Sequence, residues 1–81
     1  MDFHPHVTHS PNADALYVCL SDAEVERTRS LGDWRNVDLA ADGSVVGVEF
    51  LGVSGGVDLN GVPERHQIEG LLKGLDLRVL A

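Results

Sequence analysis

The sequence has little positive charge and almost no cysteine. Six lysine and arginine residues stand against 13 aspartate and glutamate residues, so the formal net charge is −7. A chain of this charge repels phosphate backbones and anionic membranes, so we expect no nucleic-acid or membrane partner, whereas a basic protein would suit it. Cys19 is the single cysteine, which excludes an intrachain disulfide and agrees with a reducing cytoplasm as the expected compartment.

Long apolar runs are also absent. None approaches the roughly 20 residues that a membrane span needs, and no basic region followed by an apolar stretch marks a signal peptide. The glycines between 52 and 56 are not followed by the Lys-Ser/Thr of a phosphate-binding loop, and no set of ligands has metal-site spacing. No cofactor and no metal are therefore expected.

What the sequence does contain is a strong hairpin signal between Trp34 and Leu51. Asp42-Gly43 separates two runs of alternating apolar residues, which predicts a two-residue type I′ turn with positive φ at both central positions. One face of this hairpin is nearly all apolar, through the pairs Leu39–Val46, Val37–Val48 and Arg35–Phe50. The other face is mixed, through the pairs Ala40–Val45, Asp38–Gly47, Asn36–Glu49 and Trp34–Leu51.

Other segments extend the hairpin into a sheet. Residues 14–20 carry apolar side chains on both faces, which is typical of a strand covered on both sides. Residues 25–31 form a more polar strand. We therefore predict an α+β fold: one domain over residues 1–81, with an antiparallel meander of about five strands within residues 4–55 and one C-terminal helix packed on one face.

The C-terminal helix is predicted from Pro63 to about Lys73. Pro63 suits a first helical position, and an apolar stripe at helical spacing follows it, formed by Ile68, Leu71, Leu72 and Leu75. We expect this stripe to cover the Val37–Val48 face of the sheet. Residues 76–80 are predicted to be a last short strand, which either extends the edge of the sheet or pairs with another subunit.

Polar side chains gather on the mixed face of the hairpin. Asn36, Asp38 and Glu49 lie within cross-strand distance there, and Tyr17 can join them from the preceding strand. These four residues are the candidate binding residues, for a small ligand or a cation. The alternative is a solvated face on which Glu49 pairs with Arg27 or Arg29. No nucleophile–base pair is present, so no catalytic residue is predicted.

A third interpretation places the mixed face against a second subunit. Trp34, Leu51 and Val45 would form its apolar contact surface. Small domains with open sheet edges and an exposed apolar patch often remove both by association. We therefore expect a homodimer.

Three segments together resemble a family of small prokaryotic proteins, the domain of unknown function 2283. The segments are Asp14-Ala15-Leu16-Tyr17-Val18-Cys19-Leu20, Val25-Glu26-Arg27-Thr28, and Asn36-Val37-Asp38 through Gly43 to Gly47-Val48-Glu49-Phe50-Leu51. The similarity covers roughly residues 7–53, and it departs from the family at Phe50, which replaces an aliphatic residue, and at His9, where an aromatic residue is common. It implies a compact sheet-based domain of uncharacterised activity. Some relatives look like the small partner of a toxin-like protein, which implies an antitoxin or regulatory binding role.

The function that these observations favour is a non-enzymatic protein-interaction module with an acidic surface. A small-ligand or metal-binding protein, or a weak enzyme, is the alternative, and it would use Asn36, Asp38, Glu49 and Tyr17.

Overall fold

A computed structural model of the protein describes residues 2–80. Five strands form one antiparallel sheet: β1 (His6–Ser10), β2 (Ala15–Cys19), β3 (Arg27–Ser30), β4 (Arg35–Leu39) and β5 (Val45–Leu51). Their order is β1-β2-β5-β4-β3. The last three strands are a meander, and the β1–β2 hairpin joins it along β5. The predicted α+β fold with a five-stranded antiparallel sheet is confirmed.

The turn between β4 and β5 differs from the predicted one. Gly43 has a positive φ of 87°, but Asp42 does not have a positive φ. The Gly43 N–H donates to the Ala40 carbonyl at 2.9 Å, and the Ala40 N–H donates to the Ser44 carbonyl at 2.9 Å. The loop therefore contains residues 41–43, and it is a three-residue loop that ends in a left-handed glycine. The predicted type I′ turn is wrong.

A bulge in β5 restores the register that the longer loop would have shifted. Leu39 pairs with Val45 while Asp38 pairs with Gly47, so Val46 is the extra residue. The predicted pairs Leu39–Val46 and Ala40–Val45 are wrong for this reason. The confirmed pairs are Asp38–Gly47, Val37–Val48, Asn36–Glu49 and Arg35–Phe50.

One face of the sheet, here called the covered face, packs against the C-terminal third of the chain. Its buried side chains are Leu16, Val18, Val37, Leu39, Val48 and Phe50. The side chains packed over them are Val53, Val57, Leu59, Val62, Ile68 and Leu72. Burial of this apolar surface is the main driving force for folding, and the predicted inward direction of Val37, Val48 and Phe50 is confirmed.

The helix α1 covers Arg65–Leu72 and is shorter than the predicted helix of residues 63–73. Glu64 precedes it with a left-handed backbone (φ 59°), so Pro63 is not the first helical residue. Lys73 ends it with an extended backbone (φ −62°, ψ 135°). No helix within residues 2–80 has the length and the hydrophobicity that crossing a membrane requires.

The helix packs on the covered face, as predicted, but with a different apolar set. Ile68 and Leu72 are buried. Leu75 lies beyond the end of α1 and is 39% exposed, so its predicted place in the stripe is wrong. Leu59 and Val62, which precede the helix, are buried in the core instead.

The C-terminal strand has a partner that neither sequence-based alternative named. β6 (Val57–Asp58) and β7 (Val79–Leu80) form a separate parallel pair within the same chain, so the predicted extension of the main sheet is wrong, while pairing with another subunit stays a prediction. Val57 is fully buried, and its N–H therefore needs an acceptor. The Arg78 carbonyl provides it at 2.7 Å. Helix α1 lies between the two strands in the chain, as a parallel connection requires.

Candidate binding face

The second face of the sheet, here called the open face, lies opposite the core and α1. Strand register places two rows of side chains at its centre. One row is Thr8, Tyr17, Glu49, Asn36 and Ser30, and the other is His6, Cys19, Gly47, Asp38 and Thr28. The structure thus brings the four candidate binding residues, Tyr17, Asn36, Asp38 and Glu49, onto one face across three adjacent strands.

Asp38 is the centre of a hydrogen-bonded chain that crosses the sheet. The Tyr17 hydroxyl donates to Asp38 Oδ2 at 2.8 Å. The Thr28 hydroxyl donates to Asp38 Oδ1 at 2.6 Å. Both carboxylate oxygens are therefore engaged, by side chains from β2 and β3, the strands that lie on opposite sides of the hairpin.

Gly47 makes the longer of these two connections possible. β5 lies between the strands of Tyr17 and Asp38, so the phenol must cross it. A Cβ at position 47 would lie 2.5 Å from Tyr17 Cζ and still closer to its hydroxyl oxygen. The Tyr17 ring thus occupies the space that a side chain at position 47 would fill.

The environment of Tyr17 keeps its hydroxyl protonated. Partial burial disfavours the phenolate and raises the pKa of Tyr17 above its ordinary range, and the hydrogen bond to Asp38 and the Asp38 charge raise it further. Tyr17 is therefore a hydrogen-bond donor at neutral pH, and the geometry does not activate it as a nucleophile or base.

Glu49 has a different partner from the one that the solvated-face alternative gave it. Asn36 Nδ2 donates to Glu49 Oε1 at 2.9 Å. Arg27 pairs with Leu39, and Arg29 pairs with Val37, so both arginines belong to the covered side of edge strand β3. The alternative in which Glu49 forms an ion pair with Arg27 or Arg29 is therefore wrong.

The open face carries negative charge without a lysine or arginine to balance it. Its two rows of side chains contain two carboxylates, Asp38 and Glu49. Within residues 2–80, no group of three or more His, Cys, Asp or Glu side chains is arranged to hold a metal ion. The arrangement is an acidic, hydrogen-bonded surface.

The three residues predicted for an apolar interface do not share one face. The bulge at Val46 turns Val45 towards the core, where it packs against the buried cluster beside Leu39. Leu51 remains on the open face, opposite Ala15. The Leu51 N–H donates to the Trp34 carbonyl at 2.8 Å, and the Trp34 side chain is 64% exposed.

The sequence did not predict two polar contacts of this region. The first is the hydrogen bond from Thr28 to Asp38. The alternation of Thr28 with Arg27 and Arg29 along β3 would have indicated that Thr28 lies on the face opposite the two arginines. The carboxylate of Asp14 accepts hydrogen bonds from the Ser54 N–H and hydroxyl, both at 2.8 Å. These two residues lie 40 positions apart, so no local pattern could have indicated their contact.

The fold and the face together define a small α+β protein whose antiparallel sheet is covered by a helix on one side and lined by a polar network on the other. The chain belongs to the family "Protein of unknown function (DUF2283)", whose model matches residues 6–54, more than half of the chain. The resemblance found in the sequence is thereby confirmed. No curated protein and no solved structure matches the chain.

Proposed function

We propose that the protein is a non-enzymatic interaction module that binds a basic protein on its open face. The observation that carries the proposal is the bonding of the polar side chains there. Asp38 accepts from Tyr17 and Thr28, and Glu49 accepts from Asn36. These bonds fix two carboxylates as a preorganised negative surface, and a surface ordered in advance loses little entropy on binding.

Charge supports a basic partner. The chain has a net charge of −7, and the two rows of side chains on the open face contain carboxylates but no lysine or arginine. Complementary potentials accelerate association and select against acidic competitors. Neutralising a basic protein, as an antitoxin does, is one form of this function, and regulation of such a protein is another.

A small-ligand site on the same residues has less support from the geometry. Both oxygens of Asp38 already accept hydrogen bonds, and the amide of Asn36 already donates to Glu49. A ligand would have to displace these contacts, each worth about 0.5–1.5 kcal/mol, or about 1.5–3 kcal/mol where a charged group takes part. A protein surface can instead pack on the network as it stands.

The test replaces the two carboxylates by neutral groups of the same shape. Asp38→Asn together with Glu49→Gln should weaken retention of a basic protein, in co-purification from the cells in which the protein occurs, by about tenfold or more, since the loss of two close charge pairs costs at least about 1.4 kcal/mol. Thermal melts of the variant confirm that it is folded.

The matched control removes two charges from elsewhere. Asp22 and Glu24 are exposed in the loop between β2 and β3, and Asp22→Asn with Glu24→Gln should retain the partner as the wild type does. An equal loss of retention in both variants would show that general acidity, and not the open face, attracts the partner.

The homodimer expected from the sequence stays a prediction. Of its three apolar residues, Trp34 and Leu51 are available to a second copy, while Val45 packs with the core. Light scattering over a range of protein concentrations measures the mass. A mass of one chain at every concentration would contradict the prediction.

A further inference from the structure

A cleft of about 360 Å³ lies at the end of the sheet where β4 begins and β5 ends. The side chains and glycines that matter most in its lining are Trp34, Leu51, Gly52, Gly56, Asp33 and Asp58. Its volume is at the lower end of the 300–1,000 Å³ typical of ligand pockets. Such a volume suits a single long side chain or a small molecule. Leu51 belongs both to the cleft and to the open face, so the two surfaces are continuous.

Trp34 is an exposed but positioned wall of this cleft. Its side chain is 64% exposed. A Cβ on Gly52 would lie 3.2 Å from Trp34 Cε3, so the indole rests against the backbone of Gly52, where φ is +64°. A large aromatic ring held in water against a backbone is ready to stack on another group, and the face of an indole attracts a cation more strongly than any other side-chain ring.

The charges around the cleft favour a positive occupant. The one arginine of the lining, Arg35, donates through Nη1 to the carbonyls of Asp58, at 3.2 Å, and Asn60, and through Nη2 to that of Leu31 at 3.4 Å. Its charge also lies 3.9 Å from Asp58 Oδ1, so Asp58 balances it. Asp33, which is exposed and adjacent to Trp34, leaves the lining with a net negative charge.

We propose that this cleft binds an arginine side chain of the basic partner, with the guanidinium stacked on Trp34 and paired with Asp33. An arginine fits better than a lysine because its planar group both stacks on aromatic rings and pairs with carboxylates. The inference rests on the proposed function, since the open face would hold the partner from which this side chain projects.

The cleft can be tested without the partner. Trp34 is the single tryptophan of the chain, so its fluorescence reports on the cleft alone. The peptide acetyl-Gly-Arg-Gly-amide should change this fluorescence saturably, with a dissociation constant on the order of 1 mM. The same peptide with citrulline, which has the shape of arginine without its charge, should bind at least about fivefold more weakly, because a neutral group loses the cation–π attraction and the ion pair.

Variants assign the effect to the two groups. Asp33→Asn should weaken binding of the arginine peptide by about threefold, the scale of one exposed ion pair. Asp22→Asn removes one exposed charge from the loop between β2 and β3 and should leave binding unchanged. Trp34→Leu should weaken binding by about fivefold, as measured by NMR shifts of the Gly52 and Gly56 amides because the fluorescent reporter is lost.

Three results would overturn the proposal: equal binding of the arginine and citrulline peptides, no saturable response to either, or the same effect for Asp33→Asn and Asp22→Asn. Burial of Trp34 in a dimer, seen as loss of acrylamide quenching with rising protein concentration, would overturn it too. The proposed function can fail separately, since it depends on Asp38 and Glu49, whereas the peptide experiment depends on Asp33 and Trp34.

Discussion

The two faces of one sheet are stabilised by different interactions. On the covered face, Val18, Val37 and Val48 are fully buried and contribute no polar side-chain atom. On the open face, the same strands present Tyr17 and Asp38, which are half-buried and joined by a hydrogen bond. Alternation along each strand separates the two sets of residues.

This difference separates stability from recognition. An apolar face gains free energy in proportion to the area that it removes from water. A polar network gains little net free energy from each bond, but it fixes the positions of its groups. We therefore expect substitutions on the covered face to unfold the protein, and substitutions on the open face to change binding at a smaller cost in stability.

The largest effect should come from removing what covers the sheet. Truncation after Gly61 deletes α1 and β7, and with them Val62, Ile68 and Leu72. Burial of each of these side chains contributes about 1.5–3 kcal/mol, against a total stability of roughly 5–10 kcal/mol for a small domain. Circular dichroism should show no cooperative melt. A cooperative melt at nearly the wild-type temperature would show that the covered face does not need the helix.

A matched pair of leucine-sized residues sharpens the comparison within the C-terminal segment. Ile68 is fully buried and Leu75 is 39% exposed. Ile68→Ala should lower the free energy of unfolding by about 2–5 kcal/mol, while Leu75→Ala should change it by no more than about 0.5 kcal/mol. Urea denaturation measures both. Similar losses for the two variants would contradict the exposed position of Leu75.

Gly47→Ala tests the close contact on the open face. The new methyl would collide with the Tyr17 ring, and the shift that relieves this collision should cost about 1–3 kcal/mol. The cost should shrink in a Tyr17→Ala background, because the colliding ring is gone. Gly70→Ala is the control: nothing lies within 4 Å of its Cβ, and the variant should be more stable by about 0.5–1 kcal/mol because Gly70 lies within α1. If Gly47→Ala cost the same free energy of unfolding with and without the Tyr17 ring, the contact would be refuted.

Tyr17→Phe tests the hydrogen bond to Asp38 by removing one hydroxyl from the open face. The lost hydrogen bond to Asp38 should cost about 1–3 kcal/mol in urea denaturation, with the core unchanged. The free energy of binding to the proposed basic partner should fall by more than the free energy of unfolding, since Asp38 loses one of the two donors that position it.

The pH dependence of Tyr17 checks the same hydrogen bond. Folding raises the pKa of this phenol above its ordinary value, so its contribution to stability is fully present below about pH 10, the unfolded value, and is lost as pH rises through the folded value. Tyr17 is the single tyrosine, so ultraviolet titration reports its phenolate alone. Asp38→Asn should bring the titration to lower pH, and an unchanged titration would rule out the carboxylate as a cause.

The predicted sheet was right partly because two errors cancelled. The loop has three residues and not two, and the bulge at Val46 offsets the shift that this causes. The alternation of apolar residues predicted the pairing correctly from Val37 and Val48 to the end of the hairpin away from the turn. Val45 shows the limit of the signal, because it lies between the turn and the bulge and faces the core.

By itself the sequence determined which face of the sheet most side chains of the hairpin occupy, with Val45 as the exception, because a strand's period of two sorts apolar from polar residues without reference to the rest of the chain. It also determined that Asn36, Asp38 and Glu49 share a face. Only the tertiary structure decided that Tyr17 crosses Gly47 to reach Asp38, that Asp14 binds Ser54, and that Val57 pairs with Val79. These contacts join segments far apart in the chain, and their partners depend on how the elements pack, which no local period encodes.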